Sequence, residues 1–167
     1  MSRFTFVSAG ESHGPQLTVI VTGMPAGVRL DRERINRDMA RRQHGYGRGG
    51  RMKIEHDEAD IVGGVRGGES LGSPIAIVIR NDDFENWEAA MGVWDVDSAE
   101  AGKRRVHAPR PGHVDLIGGM KYDRRDLRDV LERASARETA SRVAAGAIAD
   151  RCGCYGPGSV SPQSRRR

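Results

Sequence analysis

At 167 residues the chain has room for one domain with a buried core, or for part of a larger one. Its 27 Lys+Arg against 23 Asp+Glu look basic, but four of those arginines lie in 151–167, which holds no acid, so residues 1–150 balance at 23 of each sign and lack the broad basic face of a nucleic-acid binder. The body has no cysteine, Cys152 and Cys154 both lying in the tail, and no apolar run of 18 residues, which argues against a disulfide framework, a thiolate metal site or a membrane span.

The first stretch, MSRFTFVSAGESHG, is too polar for a signal peptide, so a cytoplasmic protein with no membrane partner is expected. FTFVS (4–8) and QLTVIVTG (16–23) read as strands joined by a hairpin-like turn, AGESHGP. Asp31 is placed to cap a helix over about 32–43, with Ile35 and Met39 on one face and arginines on the other. MKIEH, DIVGGV and SPIAIVIR are three further strand candidates, followed by a polar stretch around Trp87 and Trp94. RVHAPRPGHVD (105–115) is expected to be a loop, because its two prolines remove backbone donors and fix φ.

From Tyr122 the period turns helical: Leu127, Val130, Leu131 and Ala134 share one face, and Ala140, Val143, Ala144, Ala147 and Ile148 repeat the pattern. Between them SARE (135–138) matches a capping box, which predicts one helix ending near Arg133 and the next beginning at Ser135. A helix start flanked by Arg133 and Arg137 is suited to an anion.

Three segments carry candidate chemistry. GESHG (10–14) fits G-x-S-x-G literally, but the nucleophile elbow needs a helix after the turn, and here Pro15 and a β-rich run follow. His13 in that turn reads equally as an ordinary turn residue. RRQHGYGRGGRMKIEHD (41–57) sets four arginines and a lysine among four glycines. As a solvated charge run it would not need that glycine density, and as an RGG-like RNA segment it would sit on a neutral body. The third reading is a lid over a small polyanion, with Arg42, Arg48 and Arg51 as clamps. HAPRPGHVD (107–115) favours the lid: a proline-stiffened loop presenting His107, Arg110 and His113 is what proton transfer asks for. Together the segments point to acid chemistry on a phosphorylated or carboxylated small molecule.

AGESHGPQLT, RRQxGYGRGGRMKIExD, RPGHxDLxGGxKY and LERASARETASRVAAGAIA resemble, in order and spacing from residue 5 to about 150, the signature blocks of the chorismate synthase family. His44 and Ala134 stand where many relatives have other residues. The resemblance implies an α+β fold, with helices sandwiched between antiparallel sheets and residues 1–150 forming the N-terminal part of one domain. It implies a 1,4-anti elimination of phosphate from 5-enolpyruvylshikimate 3-phosphate to give chorismate, with reduced FMN as cofactor and NADPH as a possible flavin reductant. By motif match, His13 would protonate the leaving phosphate and His113 would supply a proton to the reduced flavin. Arg42, Arg48, Arg51, Arg110 and Arg137 match anion-binding arginines, while Arg133, Ala134 and Ser135, with Arg42 and Arg48, match the cofactor contacts. Family members are homotetramers. They also continue well beyond the length matched here, whereas RCGCYGPGSVSPQSRRR has the composition of an out-of-frame read, so the expectation is an inactive N-terminal portion with a disordered tail. The rival expectation is a non-catalytic anion- or RNA-binding module that keeps the partial fold.

Overall fold

The computed structural model describes residues 3–44 and 56–151. Arg48, Arg51, most of the strand candidate MKIEH and the expected disordered tail from Cys152 onward lie outside the described residues.

The first two strands form as the alternation requires. β1 (Thr5–Ala9) and β2 (Gln16–Thr22) make an antiparallel hairpin with Thr5 opposite Thr22 and Ala9 opposite Thr18. β2 then pairs on its other edge with a strand far along the chain, Ile75–Arg80, setting Leu17 opposite Ile79 and Val21 opposite Ile75. Because side chains alternate along a strand, this register puts Leu17, Val19 and Val21 on the same face as Ile75, Ile77 and Ile79, all six buried.

Two helices cover that face. α1 (Arg32–Gln43) begins where expected, the Asp31 side chain accepting from the Arg34 amide, and it buries Ile35 and Met39. The other, Glu138–Ala149, buries Ala140, Ala144, Ala145, Ala147 and Ile148 in the same core; its small side chains let the helix axes lie close. A second sheet is built from shorter pieces: β3 (Ala26–Arg29), β5 (Val65–Arg66) and β6 (Glu69–Leu71), in the order β3-β6-β5. With β4 (Asp60–Gly63) and β7 (Ile75–Arg80), the larger sheet runs β1-β2-β7-β4, and every pairing in both sheets is antiparallel. The α+β class is therefore as expected.

Between β7 and the last helix the chain makes a 3₁₀ turn (Phe84–Asn86) and four short helices: α2 (Glu88–Met91), α3 (Ser98–Arg104), α4 (Asp115–Tyr122) and α5 (Arg128–Arg133). α6 (Glu138–Ala149) follows. The proline-rich segment contains no regular element before Asp115, as its composition demands. Among the described residues no helix is long and apolar enough to cross a membrane.

Two expectations need correction. DIVGGV is not one strand. Gly64 breaks it at φ +82°, where an added Cβ would lie 2.3 Å from the Pro74 carbonyl oxygen, and its halves become β4 and β5 of different sheets. The capping box also does not form. α6 starts at Glu138 with Arg137 as its N-cap and no side-chain cap, because Ser135 Oγ is hydrogen-bonded to Ser12 Oγ and the Arg137 amide, while the Glu138 carboxylate turns to Ser8 and Arg133.

α4 carries two consecutive buried glycines in a helix, against their propensity. Packing explains them: a Cβ on Gly118 would meet Val130 Cγ1 at 2.3 Å, and one on Gly119 would meet Leu127 Cδ2 at 2.6 Å. Gly118→Ala should lower stability by about 1–3 kcal/mol through overpacking, read as a drop of several degrees in a thermal melt. An unchanged melt would show that α4 is not seated on α5.

Candidate active site

The β1–β2 turn places Ser12 and His13 against the junction of α5 and α6. The His13 backbone N–H donates to Glu132 Oε2 at 2.7 Å, and His13 Nδ1 lies 2.8 Å from Oε1 and 2.9 Å from Oε2 of the same carboxylate. Arg128, one helical turn back on α5, donates to Glu132 Oε1 at 2.9 Å. The Glu132 side chain is fully buried and that of His13 is 13% exposed. Burial pushes the Glu132 carboxyl up, but the hydrogen bonds and charge of His13 and the bond from Arg128 outweigh it, leaving the group below the ordinary glutamate value. The Trp87 ring lies 3.7 Å from the His13 ring, centroid to centroid, and carries the guanidinium groups of Arg104 and Arg128 at 4.0 and 5.2 Å.

A second set of bonds joins this turn to α1. Arg137, nearly buried, donates to the Ser12 carbonyl at 3.1 Å, to the Arg80 carbonyl at 2.8 Å and to Asp57 Oδ1 at 3.1 Å. The other oxygen of Asp57 accepts from Arg42, which also reaches Thr139 Oγ1 at 3.3 Å. Arg42 Nε is buried with no acceptor among the described residues. Arg133 donates to the Ser8 carbonyl at 2.9 Å and Ser8 Oγ at 2.8 Å and pairs with Glu138. Ala134 is the C-terminal cap of α5. His13, Arg42, Arg133, Ala134, Ser135 and Arg137 therefore stand together around one turn.

Ser12 is not an elbow nucleophile. It is buried, its turn runs into β2 rather than a helix, and its amide donates to the Glu132 carbonyl at 3.2 Å.

Arg110 and His113 belong to a separate arrangement in the proline-rich loop. Arg110 Nε and Nη2 grip the fully buried Asp115 at 2.8 and 3.0 Å, and the Arg110 amide donates to the same carboxylate at 3.0 Å. The bond to Asp115 raises the Arg110 guanidinium above its ordinary value, burial opposes this, and the charges of Asp115 and Glu132 add to the rise. His113 and His107 are exposed. Asp57, Glu132, Trp87 and Asp115 were not singled out by the sequence. Only the Arg128–Glu132 spacing of four on a helix offered a signal, and it says nothing of His13.

The family model for chorismate synthase matches residues 4–152. The chain belongs to the chorismate synthase family. It is 60% identical over 146 residues to the chorismate synthase of Geobacillus thermodenitrificans (strain NG80-2), covering 87% of this chain and 38% of that relative. It is 58% identical over 144 residues to that of Enterococcus faecalis (strain ATCC 700802 / V583), covering 86% and 37%. A chorismate synthase crystal structure superposes with a TM-score of 0.64 at 44% identity, over 89% of this chain and 34% of that one. The chain thus spans less than two-fifths of the length of the curated relatives it matches.

The Arg110–Asp115 pair yields a pH prediction. The Arg110 side-chain bonds hold the Asp115 carboxyl at about 2, against an ordinary 3.8. The folded value is the lower one, so the stabilisation is fully present above the unfolded value and is lost as pH falls through 3.8 towards about 2. Asp115→Asn should therefore flatten the fall of melting temperature across that window, while lowering the melting temperature at pH 7. Parallel curves for variant and wild type would remove the pair from the acid transition.

Proposed function

We propose that this chain carries the N-terminal share of a chorismate synthase active site, serving a 1,4-anti elimination of phosphate from 5-enolpyruvylshikimate 3-phosphate. The observation that carries this reading is the convergence of His13, Arg42, Ser135 and Arg137 on one hydrogen-bonded turn. A substrate with one phosphate and two carboxylates needs several fixed cations, since anions enter a dry pocket only when paired. Arg42 and Arg137, both tied to Asp57, would face its acidic groups together with Arg48, Arg51 and Arg110.

His13 would give its proton to the departing phosphate, so that the leaving group departs as a weaker base. The buried Glu132 carboxylate lies 2.8 Å from Nδ1, on the side of the ring away from Nε2. His113, on a loop anchored by Arg110 and Asp115, would hold a proton for the reduced cofactor.

The donor set also suits an anionic cofactor: Arg42 Nε is a buried donor with no acceptor among the described residues, and Ser135 lies within hydrogen-bond distance of the turn. Arg133, Ala134 and Ser135, with Arg42 and Arg48, would hold reduced FMN, NADPH being its source of electrons in some relatives. When bound, the flavin supplies transient electron density to the substrate. Assembly as a homotetramer in the cytoplasm belongs to the same reading.

Turnover is not expected from the 167 residues alone. Leu116, Ile117, Met120 and Tyr122 of α4 stand exposed directly after His113, so among the described residues the apolar side chains next to this histidine are uncovered. Activity is better tested in a chimera, with residues 1–150 replacing the matching part of the Geobacillus thermodenitrificans relative. There His13→Ala and His113→Ala should each lower kcat by roughly 10²–10⁴ while sparing substrate binding. Arg48→Ala should weaken substrate binding by about 1.5–3 kcal/mol, as loss of a charge-assisted bond does. Unchanged kcat in a histidine variant removes that residue from the mechanism, and family-like turnover by the 167-residue chain would show that the matched portion suffices.

A further inference from the structure

The Glu132 carboxylate is buried, is held below the ordinary glutamate value and accepts from two fixed donors, the His13 amide and the Arg128 guanidinium, while His13 Nδ1 lies 2.8 Å from its Oε1 and 2.9 Å from its Oε2. An ionised carboxylate offers no hydrogen. A bare ring nitrogen at 2.8 Å would set two lone pairs against each other in a site that water cannot relieve, so Nδ1 must carry the hydrogen. This holds for the neutral ring and for the imidazolium alike. The proton that comes and goes is then the one on Nε2.

The ring is also kept from turning over. Trp87 stacks on it at 3.7 Å with a tilt of 35°, and Trp87 is itself pinned by its Nε1–H donating to Asp83 Oδ2 at 3.0 Å and by Arg104 and Arg128 over its ring. A rotation of 180° about the Cβ–Cγ bond would turn a carbon towards Glu132 and leave a buried charge without one of its donors.

We propose that Glu132 is the positioning residue of His13, holding its ring with Nδ1 permanently protonated so that Nε2 is the atom that exchanges protons. The proposal rests on His13 as the proton donor of the reaction, and it narrows that role to one atom. Without Glu132 the neutral ring would revert to the Nε2–H form that imidazole side chains prefer in water, the wrong tautomer to recover a proton at Nε2.

The test reads the tautomer directly. In the ¹⁵N-histidine-labelled 167-residue chain, and in the chimera, long-range proton–nitrogen correlations are recorded at a pH where the rings are neutral, and His13 is assigned by its loss in His13→Gln. The expected pattern is a protonated Nδ1 and a bare Nε2 at His13, reverting to Nε2–H in Glu132→Ala. An Nε2–H pattern in the wild-type chimera overturns the proposal, even if the variant fails to fold. So does an unchanged pattern in a folded Glu132→Ala. In the chimera Glu132→Ala should lower kcat by up to roughly 10⁴-fold with KM little changed, the size seen when a catalytic histidine loses the carboxylate that fixes its tautomer. The tautomer as expected together with full activity in His13→Ala would refute the enzymatic role of His13 while leaving the hold of Glu132 on the ring intact.

Discussion

The β1–β2 turn is bonded to the α5–α6 junction across more than a hundred residues of chain, and the site exists only because this junction is closed. Glu132 meets both the backbone and the ring of His13 at a separation of 119 residues, Ser135 meets Ser12 at 123, and Arg137 meets the Ser12 carbonyl at 125. The hydrophobic layer brings these pieces near one another, since α6 and β2 share one core. It does not fix their register. Dispersion and area burial are tolerant of small slides, whereas a carboxylate bonded at once to the His13 amide, the His13 ring and Arg128 has few geometries that satisfy all three contacts.

Such a junction costs stability as well as supplying it. Glu132, Arg137 and Asp57 are all buried ions, and ion pairs in an interior recover little more than the hydration they forfeit. Removing one partner is another matter, at about 3–5 kcal/mol, because the remaining charge is left in place. The network therefore acts less as a source of stability than as a penalty on every other arrangement of the turn. Preorganisation of that kind is what an acid–base site requires, because donors fixed before the reaction need not reorient during it.

Legibility followed the range of the interactions. β1, β2 and α1 were readable because alternation, a period of 3.6 and the Asp31 cap are local signals, settled within a few residues. β3 and β6, with only four and three residues and no apolar run, are strands because of their partners. α4 was hidden by Gly118 and Gly119, which lower helix propensity yet are demanded by Val130 and Leu127 across the α4–α5 contact. The capping box was locally correct and lost to a distant competitor, since Ser135 and Glu138 had better partners in Ser12 and Ser8. The same reasoning separates the site residues. The histidines and arginines stood out through their glycine- and proline-rich settings, whereas Glu132 and Asp57 look like ordinary acids until the fold supplies their partners 119 and 80 residues away.

Asp57 also ties the glycine-arginine segment to this rigid centre. Arg42 stands near the start of the segment, Asp57 ends it, and the two are paired, so the chain leaves and returns at one place. That place is fixed by Arg137, which grips Asp57 with one nitrogen and the Ser12 carbonyl with another. Arg48 and Arg51 are thus borne by a segment whose two ends stand beside the turn that holds His13. One buried aspartate thereby links Arg42, at one end of the segment, to Arg137 and the turn that holds His13.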